Sequence, residues 1–170
     1  MTEEVFAQAV EAYGDTLFRV AYSYLKNPSD AQDVMQETLL KFYLEQKPFD
    51  SEEHQRRWLI RVAVNESKKL LRSAWRRRSV PMEEETAVAF DTLAQRELFE
   101  QVMALPPRYR LSVYLYYYES FSVREIAQVM GANPSTVQTW LLRARKRLRR
   151  ELTEEEEKEE PGYVRPQIVP

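Results

Sequence analysis

Six side chains late in the chain, Ser135, Thr136, Gln138, Thr139, Trp140 and Arg143, have the types and spacing to recognise the edges of nucleic-acid bases. Ser, Thr and Gln are short donors and acceptors, and Gln suits the N6/N7 edge of adenine. Between them Val137, Leu141, Ala144 and Leu148 recur at helical spacing, so one face packs inward and the polar groups are left around the front. Arg143, Arg145, Lys146, Arg147, Arg149 and Arg150 follow and suit phosphates. Short polar groups at the start of a second helix, with a basic exit, are what entry into a major groove requires.

Positioning these groups needs a first helix and a tight turn, and both are written in Phe121–Arg150. Ser122 caps the first helix, Glu125 completes a capping box, and Phe121 and Ile126 occupy the two staple positions. That helix runs through Met130 and stops at Gly131, a residue suited to the left-handed turn. Asn133 caps the second helix, with Pro134 in its first turn. A solvated helical hairpin could also end in basic residues, but the double capping and short Gly turn favour a helix-turn-helix.

Other chemistries are poorly supplied. Zero Cys excludes disulfides and thiolate metal sites. A helical metalloenzyme could use Asp30, Asp33 and Glu37, but such bundles add Glu-x-x-His pairs. The one His, His54, is expected in a loop. No cofactor or metal site and no small-molecule substrate is expected. No apolar stretch approaches membrane-spanning length, and the start MTEEVFAQ is acidic where a signal peptide would be basic.

Hydrophobic content of 44% supports packed cores, while only 3 Gly and few alternating β-branched runs point to an all-α protein. The net charge of −2 hides a segregation. Residues 56–78 carry nine basic side chains against Glu66 alone, a balance of +8, and residues 108–150 carry nine against Glu119 and Glu125, a balance of +7. The remainder therefore carries −17. Two basic blocks in an acidic chain suggest two separate contacts with a polyanion.

In chain order, Phe6, Ala9, Tyr13, Leu17, Val20 and Tyr24 predict an amphipathic helix over 5–25. Asn27-Pro28 breaks it, and Ser29 with Gln32 suggests a capping box for a second helix reaching about Leu44. Its inner face is Ala31, Val34, Thr38 and Phe42; Asp30, Asp33, Gln36, Glu37, Leu40 and Lys41 lie opposite. Residues 46–53 read as a loop in which Phe49 either folds back on the core or meets a ligand. A third helix over 56–75 has an apolar first half from Trp58 to Val64 and a basic second half carrying Trp75. Residues 79–91 have a linker composition that includes Glu83–Glu85. Helical pattern resumes near Thr92 and stops before Pro106-Pro107; another helix over 109–119 is rich in Tyr, which core and subdomain packing explain better than a cofactor would. After Leu152 comes an acidic run and a tail expected to be disordered.

Taken together, the chain resembles the extracytoplasmic-function group of bacterial sigma factors over about 5–152. SDAQDVMQETLLKFY (Ser29–Tyr43) is similar to the segment that docks on core RNA polymerase, and WLIRVAVNESKKLLR (Trp58–Arg72) to the helix that melts and reads the −10 element. LPPRYR, ESFSVREIA and STVQTWLLRARKRLR, starting at Leu105, Glu119 and Ser135, are similar to the −35 reader. The resemblance implies two small helical domains, 1–78 and 96–152, joined by a flexible linker at 79–95 and followed by the tail 153–170.

It also assigns roles. Asp30, Asp33, Gln36, Glu37 and Leu40 would contact core polymerase. Phe49, Trp58, Arg61, Asn65, Lys68, Lys69 and Arg72 would engage −10 DNA, with Phe49 and Asn65 near a flipped-out base. Ser135, Thr136, Gln138, Thr139, Trp140, Arg143 and Lys146 would engage −35 DNA. Gln138 and Trp140 stand where family members often carry a basic residue, which leaves the −35 sequence preference open. Glu83–Glu85 would thread toward the RNA exit path. Implied partners are core RNA polymerase, promoter DNA and an anti-sigma factor, in the cytoplasm or held at the membrane through that factor, with no direct membrane insertion and no enzymatic activity. The rival within DNA binding is a self-sufficient helix-turn-helix regulator, which would need a dimerisation or ligand domain where this chain has a basic reading helix.

Overall fold

The structure is a computed structural model that describes residues 1–45, 47–77 and 93–156, with side chains described at 1–45, 47–73 and 97–150. Among the described residues there are seven helices and no strand. The first half holds α1 (Glu3–Leu25), α2 (Pro28–Leu44) and α3 (Glu52–Arg77); the second holds α4 (Leu93–Met103), α5 (Pro107–Tyr117), α6 (Val123–Met130) and α7 (Pro134–Glu156). Of the linker expected at 79–95, residues 79–92 with Glu83–Glu85 lie outside the described residues, as do the Trp75 side chain and residues 157–170 of the expected tail; residues 93–95 open α4 and residues 153–156 end α7.

Helix ends follow capping chemistry. Thr2 accepts the Val5 N–H at the start of α1, and the left-handed Lys26 (φ 53°) ends it. The next cap differs from expectation: Asn27, not Ser29, accepts the Asp30 N–H at 3.0 Å. Pro28 explains this, because its fixed φ and missing N–H favour the first helical position and so place the cap one residue earlier. Helix α3 likewise starts before Arg56. Ser51 Oγ accepts the His54 N–H at 3.1 Å, so His54 belongs to the first turn of α3 rather than to a loop. Pro107 opens α5 two residues before Tyr109, and α7 continues to Glu156, past Leu152.

The predicted inner faces are buried. Leu17, Val20, Ala31, Val34, Phe42, Leu59, Ile60, Ala63 and Val64 pack α1, α2 and α3 together, while Leu111, Leu115, Ile126, Val137, Leu141 and Ala144 pack α5, α6 and α7. Each fully buried Leu or Ile contributes about 1.5–3 kcal/mol relative to exposure. These side chains form one continuous apolar cluster across both halves. The halves are thus docked, chiefly along α1 and α5.

Arg110 is the centre of that seam. Its guanidinium is buried at 6% exposure and donates to the carbonyls of Ser23 (2.7 Å) and Tyr24 (2.9 Å) in α1, and of Leu105 (2.8 Å) and Met103 (3.4 Å) near the end of α4. A guanidinium can do this because it presents five donors in a planar fork. Both sets of acceptors are end-of-helix carbonyls, which carry partial negative charge and lack intrahelical partners. Tyr22 and Phe99 stack beside it with ring centroids 6.3 Å apart.

A second seam joins α3 to α6 and the residues before it. Arg56 pairs with Glu119, which also accepts the Tyr114 hydroxyl at 2.8 Å. Burial, then the Glu119 carboxylate, pushes the Tyr114 phenol far above its ordinary value. Arg57 lies over the Phe121 ring at 4.8 Å. Here the Tyr-rich α5 gains an explanation beyond core filling: Tyr117 accepts the Arg145 N–H at 2.7 Å, Tyr116 and Tyr117 flank that guanidinium at 5.8 Å, and Tyr109 lies under Arg147 at 5.3 Å. Only Tyr118 is largely exposed, at 64%.

Replacing Arg110 tests the first seam. Arg110→Ala leaves buried carbonyls without donors and should lower unfolding free energy by about 3 kcal/mol, whereas Arg110→Lys, with one compact ammonium, should recover only part of that. Urea denaturation of the two variants beside the wild type measures both losses.

Candidate nucleic-acid interface

The helix-turn-helix is built as its sequence directs. Glu125 N–H donates to Ser122 Oγ at 3.1 Å while Ser122 N–H donates to the Glu125 carboxylate at 2.7 Å, closing the capping box. Gly131 takes φ +66°, a conformation that strains any side-chain-bearing residue. Beyond the turn, Val137, Leu141, Ala144 and Leu148 are all buried. Ser135, Gln138, Thr139, Arg143 and Lys146 are exposed on the other side of α7, and Thr136 is half-buried. The Thr139 hydroxyl spends its proton on the Ser135 carbonyl at 3.0 Å, leaving its lone pairs outward. Trp140 is not free on this front; it is half-buried against the core.

On α3, Arg61, Asn65, Lys69 and Arg72 are exposed at three- and four-residue intervals and so share a stripe. Phe49 and Trp58 come together at the head of that stripe, 5.5 Å apart and edge to face, against Phe42 and His54. Phe49 therefore folds back on the core yet keeps part of its ring accessible. Lys68 departs from the stripe. Its ammonium approaches the Val129 carbonyl of α6 at 3.4 Å, and burial, with Arg72 nearby, lowers its pKa.

On α2, Asp33, Gln36, Glu37 and Leu40 are exposed as expected, and Asp30 is half-buried. Burial and the neighbouring Asp33 raise the Asp30 carboxyl above its ordinary value. Sequence reasoning missed the extension of this face beyond Leu40, which is 50% exposed: Tyr43 and Leu44 are 42% and 61% exposed. Their i, i+3, i+4 spacing was a visible signal, and an apolar stripe rimmed by acids marks a protein interface. Lys41 is drawn off to Glu66 of α3, with Glu37 at 3.9 Å.

The first two of these groups converge. Arg72 of α3 and Trp140 and Arg143 of α7 line one cleft between the halves, together with Tyr24, Leu71 and the start of α5. Arg57 and Glu125, absent from the expected site, pair 2.6 Å apart in the second seam, between α3 and α6. The pairing of residues 68 positions apart in sequence left no local signal.

Residues 9–77 match the family model Sigma-70 region 2, and residues 95–148 match Sigma-70, region 4. The chain is 27% identical to RNA polymerase sigma factor SigV of Bacillus subtilis, over 91% of this chain and 95% of that protein. It is 30% identical to the RNA polymerase sigma-E factor of Streptomyces coelicolor, over 86% and 85%. The fold is similar to that of sigma factor RpoE of Bartonella quintana, solved with the anti-sigma factor NepR, with a TM-score of 0.73, 22% identity and coverage of 88% and 98%. It is also similar to CnrH, solved with the cytosolic domain of CnrY, with a TM-score of 0.58, 24% identity and coverage of 90% of each chain.

Two carboxylates bracket this interface, and both have pKa values below the ordinary range. Partial burial pushes each up, but Lys41 and Lys69 at Glu66, and Ser122 and Arg57 at Glu125, outweigh it. A carboxyl depressed in the folded state contributes stability that is present above its unfolded value, near 4.5, and lost as pH falls through the folded one. The wild type should therefore lose stability progressively below about pH 4.5. Glu125→Gln, which removes that titration, should give a shallower acid limb in melts collected from pH 7 to pH 3; an unchanged limb would show that the carboxylate is not coupled to folding.

Proposed function

This chain belongs to the sigma-70 family, and we propose that it acts as an extracytoplasmic-function-type sigma factor that binds core RNA polymerase and directs promoter recognition and opening. The observation that carries this reading is the presence, in order on one chain, of both a region 2 match and a region 4 match. The docking face is α2: Asp30, Asp33, Gln36, Glu37 and Leu40 meet core polymerase, with Tyr43 and Leu44 widening the contact. The α3 stripe engages the −10 element. Its exposed Asn65 and the half-buried Phe49 and Trp58 rings suit an extruded base, and Arg61, Lys68, Lys69 and Arg72 suit the backbone. The α7 front engages the −35 element through Ser135, Thr136, Gln138 and Thr139, with the half-buried Trp140 at its margin and Arg143 and Lys146 on phosphates. The chain contributes no catalytic group; the chemistry of RNA synthesis belongs to the polymerase.

Geometry adds a requirement. Elements 25 base pairs apart lie roughly 85 Å apart at 3.4 Å per pair. A compact chain of 170 residues has a radius of gyration of about 15 Å. The docked arrangement is therefore too short to reach both elements, and its cleft holds reading residues from both halves together. The chain from Arg77 to Leu93 can span at most roughly 55 Å. Separation of the halves along this connection is thus a step in promoter binding.

An anti-sigma partner is part of the same proposal. RpoE of Bartonella quintana was solved with its anti-sigma factor, and the docked arrangement is the state such a partner would hold. No helix among the described residues is long and apolar enough to cross a membrane; a cytoplasmic site of action, where the polymerase is, follows from the proposed function.

Two experiments test this. Glu37→Lys reverses an exposed charge away from the core, so melting should stay within about 0.5 kcal/mol of wild type while capture of core polymerase is lost. Retained capture would remove α2 from the interface. Footprinting of one selected promoter at physiological salt should show weak protection by the free chain and an opened, protected promoter once core enzyme is added. A strong symmetric footprint without polymerase would instead identify a self-sufficient regulator.

A further inference from the structure

Arg72, Arg108 and Arg143 reach one cleft of about 630 Å³ from three different helices. Among the described residues no carboxylate pairs with any of them. Elsewhere on the same seam guanidinium groups are matched, Arg56 to Glu119 and Arg57 to Glu125. Three cations unmatched among the described residues surround one concave space and repel each other, and an anion entering that space removes the repulsion. The volume falls in the range of small-molecule sites.

The rest of the lining says what kind of anion. Tyr24 is buried, and the Tyr109 ring carries Arg147, so Trp140 is the aromatic face left for a planar ring to stack on. Pro106 and Pro107 supply an apolar wall without N–H donors. Guanidinium forks match phosphate oxygens in bidentate geometry, and an indole beside them matches a base. We propose that this cleft binds a free nucleotide carrying two or more phosphates, with its base on Trp140 and its phosphates among Arg72, Arg108 and Arg143.

Because Arg72 belongs to the first half and the other three to the second, the nucleotide bridges the halves and stabilises the docked arrangement. Bound nucleotide and promoter DNA then compete for Arg72, Trp140 and Arg143. Arg108 belongs to the nucleotide site and not to the proposed DNA contacts, so it separates the two functions. This inference goes beyond the promoter-recognition reading, and the nucleotide-binding measurements that decide it are made on the free chain without DNA or polymerase, so its failure leaves that reading untouched.

The experiment is calorimetric titration of the full chain with ATP, pyrophosphate and adenosine, with tryptophan fluorescence followed in parallel. ATP should bind at least tenfold more tightly than either fragment and quench fluorescence, and Trp140→Phe should remove most of the quenching. Arg108→Gln, an exposed substitution, should weaken ATP binding tenfold or more while melting and capture of core polymerase stay at wild-type values; Arg72→Gln should weaken it similarly. Equal affinity for ATP and pyrophosphate, unchanged ATP affinity in both Arg variants, or no binding would each overturn the proposal.

Discussion

The docked form of this molecule depends on one buried cation. Arg110 is withdrawn from water without a carboxylate partner among the described residues, and burial accordingly lowers its pKa. An isolated charge in that position would be prohibitively costly. It is tolerable because two helix ends supply main-chain carbonyls within hydrogen-bond reach of the guanidinium fork. The constraint runs in both directions: α1 must end at Leu25, and α4 must end just before the Pro-Pro step, for the acceptors to be uncommitted. The left-handed Lys26 and the Pro106-Pro107 pair are therefore as important to the interface as the side chain that makes it.

What could be read from the sequence was whatever is fixed within a turn or two of helix. The stripe Val137, Leu141, Ala144 and Leu148, the Ser122–Glu125 box and the Gly131 turn all follow from i+3 and i+4 relations, and the structure has each of them. The misreadings were local contests between two plausible signals. Ser29 and Gln32 had the spacing of a box, but Pro28 had the stronger demand on backbone geometry. His54 looked like a loop residue because Pro48 and Asp50 precede it, yet Ser51 was a ready cap. The long-range features were not legible at all. Arg110 counted as one more basic residue in a positive block, although its acceptors lie 86 and 87 positions earlier.

The segregated charge takes on a different sense once the halves are seen together. Part of the basic block in α3 is spent inside the molecule, Arg56 on Glu119 and Arg57 on Glu125, so the field offered to a polyanion is smaller in the docked state than the sequence balance of +8 suggests. Lys68 shows the cost of this arrangement. Its ammonium is half-buried against a single carbonyl, and its lowered pKa records lost hydration. A phosphate would restore a full counter-charge to the same group. In the proposed reading, undocking and DNA binding are linked through a shared side chain rather than merely being successive events.

The nature of the Arg110 contact also bears on how the interface can change over evolutionary time. Its partners at positions 23, 24, 103 and 105 take part through main-chain oxygens, which any amino acid provides. Side chains there can drift without touching these bonds, and no substitution among them can compensate for loss of the arginine. Covariation between position 110 and its acceptors should consequently be weak in any set of descendants that keeps the docked form, although the contact is energetically central. A contact map inferred from correlated substitutions would understate the seam that holds the two halves together.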